Sequence, residues 1–173
     1  NYALASLIVA ICALSASAAT VVRFTQGVTK FTDGDVIAIT EVLAEKATFD
    51  VGDTITVKGT YTLASHANAK ILLSVTQDVT KALPVEQGHG IARKEVEAGT
   101  GDYEMTISIP YEGWVHLGFY DTDSGKPFGN LYFGTKEQVE EIELLDNMQR
   151  NRKINSEQAG AGYPPQGVGS PDP

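Results

Sequence analysis

The sequence predicts a mainly β protein whose strands are preceded by an apolar helix. After Arg23, short apolar runs follow one another with turn residues about every eight to twelve positions, and no helical period connects them. Before Arg23 the chain is one uninterrupted apolar stretch. The 173 residues are 42% hydrophobic and 20% charged, which is ordinary for a globular protein and enough to bury one core.

The N-terminal segment, residues 1–24, is predicted to be a hydrophobic helix. Tyr2–Val22 contains no charged residue, no glycine and no proline. A helix of this length would be roughly 30 Å long, about the thickness of a bilayer core. Two interpretations fit it. It is either a secretory signal, in which the apolar run Leu4–Leu14 precedes the small residues Ala16–Ala19, or a retained helix buried in a membrane or an assembly.

Residues 25–135 are predicted to form about seven strands. Thr54–Leu63 alternates apolar and polar residues with period two, which is typical of a strand with one buried face. Ala69–Gln77 is the most apolar run and is expected at the centre of a sheet, whereas residues 90–98 carry Lys and Glu and are expected at an edge. Further strands are predicted over Tyr103–Ile109, Trp114–Tyr120 and Phe128–Phe133. This pattern indicates a two-sheet antiparallel sandwich of immunoglobulin-like build, with Trp114 as a core anchor between the sheets.

The C-terminal part, residues 136–173, is predicted to be an extension of the β domain. Thr135 and Gln138 have the spacing of a helix capping box. Apolar residues then recur every third position, which favours a short amphipathic helix over residues 136–158, with a strand over Glu141–Leu145 as the alternative. Residues 159–173 are rich in glycine and proline and cannot form a packed core alone.

Charge and cysteine content exclude several classes of function. The formal net charge is −9 and the sequence pI is about 4.7, so nucleic acid is not an expected partner, because phosphate binding needs clustered Lys and Arg. Cys12 is the single cysteine and lies in the apolar segment. The β domain therefore has no intrachain disulfide, no cysteine metal site and no thiol nucleophile.

Candidate catalytic and metal-binding residues are few. Asp121 and Asp123 stand in the run Asp-Thr-Asp-Ser-Gly, which resembles the opening of a calcium loop; a polar hairpin turn is the alternative. The histidines His66, His89 and His116 are scattered, with no pair at metal-ligand spacing. No Gly-x-Ser-x-Gly motif is present. We therefore expect no enzymatic activity and no cofactor, with calcium as the one candidate ion.

The plan of an uncharged N-terminal helix followed by a β-sandwich resembles archaeal type IV pilins and the related archaellum subunits. The chain begins at Asn1 rather than Met, which agrees with a leader removed just before the apolar segment. Ala5 and Asn1 stand where the bacterial type IV pattern has glutamate and phenylalanine, so the archaeal branch is favoured. No Asn-x-Ser/Thr sequon occurs, which departs from the glycosylated sheath common in that branch.

The resemblance implies a structural subunit of an extracellular, cell-surface filament that serves adhesion or surface attachment. Its partners would be further copies of the same chain, together with the membrane during assembly; a pilus and an archaellum remain open alternatives. Helix packing would use the large residues Leu4, Leu7, Ile8, Ile11 and Leu14, with the small residues Ala3 and Ala10 allowing close approach. The alternative function is a monomeric secreted binding module whose first ~19 residues are a cleaved signal peptide.

Overall fold

The computed structural model describes residues 18–32, 34–78 and 90–160, and in this part the protein is a curled antiparallel β-sheet followed by one helix. The sheet has seven strands: β1 (Thr20–Val21), β2 (Thr25–Lys30), β3 (Val36–Ala44), β4 (Thr54–Gln77), β5 (Ile91–Ser108), β6 (Gly113–Tyr120) and β7 (Pro127–Gly134). The helix, α1, spans Lys136–Gly160. The prediction of a mainly β protein is confirmed.

Strand β4 organises the sheet. Its first part, 54–63, pairs with β3 on one side and with β5 on the other. Its last part, 68–77, pairs with β6 and again with β5. Because β3 and β6 therefore lie on the same side of β4, the sheet order runs β1-β3-β4-β6-β7-β2, with β5 attached to β4. The central position expected for Ala69–Gln77 and the edge position expected for residues 90–98 are both confirmed.

Both long strands are longer than the sequence predicts. The two runs Thr54–Leu63 and Ala69–Gln77 belong to one strand that is interrupted only by a register shift between Leu63 and Asn68. Residues 91–108 are likewise one strand, with Gly99 at a φ of 114° opposite Leu63. A bulge bends a strand without ending its pairing, and glycine adopts a positive φ at no steric cost. Residues expected to form turns therefore form the bend of a long hairpin.

The side chain of Asp35 holds this bend. It is 4% exposed, and its Oδ1 accepts hydrogen bonds from the backbone nitrogens of Ala64 (2.8 Å) and Ser65 (2.9 Å). Its Oδ2 accepts a further hydrogen bond from Ser65 Oγ. Burial raises the pKa of this carboxyl, but the hydrogen bonds from Ser65 and Ala64 outweigh burial and leave the pKa below its ordinary value. Each hydrogen bond to a charged acceptor is worth about 1.5–3 kcal/mol.

The core lies on the concave side of the curled sheet and follows the period-two pattern. Ile55, Val57 and Leu63 of β4 and Leu117 and Phe119 of β6 are almost completely buried. Tyr61 contacts Phe119 edge-on with ring centroids 6.5 Å apart, so the two parts of β4 share one core. Burying such a side chain is worth about 1.5–3 kcal/mol.

Trp114 occupies the opposite face from the one predicted. It is buried, but it does not belong to the core cluster, which β6 supplies from the alternate positions Val115, Leu117 and Phe119. Successive strand residues point to opposite faces. The Trp114 indole therefore faces α1, and its Nε1 donates a hydrogen bond to Glu141 Oε2 at 3.3 Å. The prediction of a core anchor between two sheets is wrong for this residue, because β6 is buried on both faces.

Residues 20–30 connect the two edges of the sheet. Thr20 pairs with Ala44 in β3, whereas Thr25 pairs with Gly134 in β7. Between them, the Val22 nitrogen donates to the Val42 carbonyl at 2.9 Å. The helix predicted for residues 1–24 therefore does not extend to residue 24, because the β-branched run Thr20–Val22 pairs with β3. Residues 1–17, which include the assembly residues Leu4, Leu7, Ile8, Ile11, Leu14, Ala3 and Ala10, lie outside the described residues.

The capping box at the start of α1 is confirmed. The Thr135 nitrogen donates to Gln138 Oε1 at 2.9 Å, and the Gln138 nitrogen donates to Thr135 Oγ1 at 3.3 Å. Residues 141–145 are helical rather than a strand, and α1 reaches Gly160, beyond the predicted end at 158. The rest of the glycine- and proline-rich tail, residues 161–173, lies outside the described residues. Within the described ranges, no helix has both the length and the apolar character needed to cross a membrane.

Candidate functional site

Asp121 and Asp123, the predicted calcium ligands, lie in the hairpin between β6 and β7. Asp121 Oδ1 accepts hydrogen bonds from Ser124 Oγ (2.7 Å), from the Ser124 nitrogen (2.6 Å) and from the Asp123 nitrogen (3.2 Å). These bonds, that of the Ser124 side chain first, hold the pKa of Asp121 below its ordinary value. This is the geometry of the polar hairpin turn, and the carboxylate caps its own turn.

The geometry gives calcium little support at this hairpin. No group of three or more His, Cys, Asp or Glu side chains is placed to hold a metal ion anywhere in the described ranges. Calcium at Asp121 and Asp123 therefore stays a prediction.

His66 does not form a catalytic arrangement with its neighbours. Its ring stacks on Phe128 with centroids 3.9 Å apart, and its Nδ1 lies 2.6 Å from Ser65 Oγ. The same hydroxyl donates to Asp35. Serine therefore stands between the carboxylate and the imidazole, whereas serine activation requires the imidazole to stand between the other two. The cluster stabilises the bend in β4 instead.

A groove lies between α1 and the face of the sheet opposite the core. Its volume is about 340 Å³. Its apolar lining comes from β2, β6 and β7 on one side and from α1 on the other, namely Val28, Trp114, Tyr132, Ile142 and Leu145. Its polar lining includes Thr76, Gln77, Asn130 and Gln149. We call this cleft the helix groove.

One wall of the helix groove is fixed by contacts of α1 with the edge strand β2. Lys30 Nζ of β2 lies 2.7 Å from Asp146 Oδ1 of α1, and within α1 Arg150 Nη2 lies 3.0 Å from Asp146 Oδ2. Val139 is 4% exposed and packs so closely on Gly27 that a Cβ there would lie 3.0 Å from Val139 Cγ1. The exposed ion pairs are each worth at most about 1 kcal/mol, so apolar packing at Gly27 contributes most to this contact.

A polar cluster around His116 supports the floor of the helix groove. His116 is 8% exposed; its Nδ1 lies 3.1 Å from Thr76 Oγ1, and its Nε2 lies 3.3 Å from both Ser74 Oγ and Tyr120 Oη. Thr76 Oγ1 in turn lies 3.2 Å from Tyr132 Oη. Burial lowers the pKa of His116 to about 4 against a smaller opposing effect of the Trp114 backbone, so the ring is neutral at pH 7.

Two members of this cluster, Thr76 and Tyr132, also line the helix groove. The neutral ring of His116 therefore holds the Thr76 hydroxyl, which in turn holds the Tyr132 hydroxyl, at the bottom of the cleft. The sequence predicts His116 in the strand that contains Trp114 and assigns it no role. The cluster depends on the pairing of His116 with Ser74 and with Tyr132, and that register is not encoded in the spacing of any motif.

No protein-family model matches the chain, and comparison with curated proteins and with solved structures gave no match.

Acid should destabilise the protein through His116. Well above pH 6.5 the imidazole is neutral whether the chain is folded or unfolded. As the pH falls from 6.5 to about 4, the unfolded chain binds a proton that the folded protein excludes. The free energy of unfolding should therefore drop by about 3 kcal/mol over this range on account of His116 alone.

Urea unfolding of the wild type and of His116→Gln between pH 7 and pH 4.5 measures this effect. The wild type should lose stability more steeply than the variant, by up to about 1.4 kcal/mol per pH unit. Parallel stability curves for the two proteins would contradict the assignment of a buried, neutral His116.

Proposed function

We propose that this chain is a structural subunit of an extracellular filament, assembled through its N-terminal apolar segment and serving adhesion or surface attachment. The observation that carries the proposal is the join between the segment and the sheet. The charge-free run Tyr2–Val22 includes β1 near its end, so no charged residue separates the apolar segment from the sheet. A helix packed in a filament would therefore hold its β domain at a fixed place on the outside.

The composition of the apolar segment supports assembly. Leu4, Leu7, Ile8, Ile11 and Leu14 supply large side chains, while Ala3 and Ala10 allow helices to approach closely. Each large side chain buried between copies would contribute about 1.5–3 kcal/mol. The partners in this proposal are copies of the same chain, and the membrane during assembly.

We further propose that the curled sheet is an immunoglobulin-like sandwich in which the two parts of β4 belong to opposite layers. Contacts between distant parts of the sheet support this view. Tyr61 of β4 meets Phe119 of β6, and Phe49, which precedes β4, meets Phe133 of β7 with ring centroids 6.0 Å apart. Such a sandwich would form the exposed sheath around the packed helices.

A second candidate function is a monomeric secreted binding module. The observation that favours it is the position of β1, which begins at Thr20, directly after the small residues Ala16–Ala19. Ala18 and Ala19 are exposed. Cleavage by a signal peptidase at this place would leave β1 and the remaining strands complete. The helix groove would then be the binding surface of the module.

The N-terminal sequence of the protein recovered from the cell exterior distinguishes the two functions. The filament proposal expects a chain that retains the apolar segment Tyr2–Val22. A chain that starts at Ala19 or Thr20 would rule out assembly through this segment and support the secreted module.

A charge in the apolar segment should abolish filaments. Leu7→Asp places a carboxylate in the proposed helix core, where an unpaired charge costs several kcal/mol. Leu144→Asp is the matched control, because Leu144 is 60% exposed on α1. Negative-stain images should show filaments for the control and dispersed particles for Leu7→Asp. Normal filaments from Leu7→Asp would refute assembly through the apolar segment.

A further inference from the structure

The helix groove has the dimensions of a small-molecule site. Its volume of about 340 Å³ lies at the lower end of the range for ligand pockets, roughly 300–1,000 Å³. One or two sugar rings fill a cleft of this size, whereas a folded partner would not enter it. The cleft opens between a helix and a sheet, both of which are held by the contacts described above.

The apolar side of the helix groove is partly aromatic. Trp114 and Tyr132 lie on adjacent parts of β6 and β7, and Ile142 and Leu145 face them from α1. Aromatic rings offer a flat apolar surface with a polar group at one end. The face of a pyranose ring consists of C–H groups, so it packs on such a surface while its hydroxyl groups remain at the edges.

The polar side of the helix groove combines five uncharged side chains with four charged ones. The amides of Gln77, Asn130 and Gln149 each donate and accept hydrogen bonds, as do the hydroxyls of Thr76 and Tyr132. Sugar hydroxyls also donate and accept, so amides and hydroxyls match them without a charge on the ligand. The His116 cluster orients the Thr76 and Tyr132 hydroxyls before any ligand arrives, which lowers the entropic cost of binding.

The charges around the helix groove disfavour an anionic ligand. Lys30, the cationic residue of the lining, is already paired with Asp146. The lining also contains the carboxylates of Asp78, Glu143 and Asp146. A phosphate or carboxylate ligand would therefore lack a counter-charge and would meet like charges.

We propose that the helix groove binds a neutral carbohydrate, with a sugar ring against Tyr132 at the edge of the buried Trp114 and its hydroxyl groups on Asn130, Gln77 and Gln149. This site is independent of the fate of residues 1–17, so it is compatible with both a filament subunit and a secreted module. In a filament it would supply the adhesive contact.

Trp114 makes the test direct, because it is the only tryptophan in the chain and lies in the groove. The full chain is titrated with a panel of neutral sugars (glucose, galactose, N-acetylglucosamine, maltose, cellobiose and lactose) at up to millimolar concentrations, and tryptophan fluorescence is recorded. At least one sugar should give a saturable change. Glucose 6-phosphate, the anionic control, should bind more weakly than glucose.

Three variants locate the bound sugar. Asn130→Ala and Tyr132→Ala should each weaken binding at least tenfold, whereas Asn68→Ala, at the bend of β4 and outside the groove, should bind as the wild type does. Circular dichroism shows whether each variant is folded. If Tyr132→Ala does not fold, the affinity of Asn130→Ala alone tests the position of the bound sugar. The proposal is overturned if no sugar of the panel changes the fluorescence, if glucose 6-phosphate binds more tightly than glucose, or if Asn130→Ala binds normally.

Discussion

The hydrogen bonds of Asp35 to the bend in β4 are the constraint on which the rest of the structure depends. They satisfy the two backbone nitrogens, of Ala64 and Ser65, that the register shift removes from the ladder. Because β3 and β6 lie on the same side of β4, bending this strand separates them and curls the sheet around one core. An unbent hairpin of this length would leave the apolar face of β4 and β5 open to water.

The sequence predicts the individual strands better than it predicts how they join and bend. Period-two alternation identifies Ile55 and Val57 as core residues, and the charges of residues 90–98 identify an edge. The bend is not predictable in the same way, because Ser65 and Gly99 are also the residues of ordinary turns. The carboxylate of Asp35, thirty positions before Ser65, holds this segment as a bend within one strand rather than as a turn between two strands. Such long-range contacts leave no local pattern in a single sequence.

The candidate site shows the same limit. The capping box of α1 is readable from Thr135 and Gln138, and it starts the helix at the edge of the sheet. The sequence does not predict which face of the sheet α1 covers, because β6 has buried residues on both of its faces. The sequence therefore predicts Trp114 in the core between two sheets, whereas it lies under α1 and lines the helix groove. The role of His116 depends on the strand register that pairs it with Ser74 and Tyr132, and no local motif encodes that register.

Amide hydrogen exchange at Ala64 and Ser65 tests most directly whether Asp35 holds the bend. If it does, these two backbone nitrogens should exchange as slowly as those of the paired core residues Ile55 and Val57, because opening them requires the curled sheet to come apart. Exchange at the rate of an exposed turn, while Ile55 and Val57 stay protected, would show that the bend opens independently of the sheet and would contradict the central role given to Asp35.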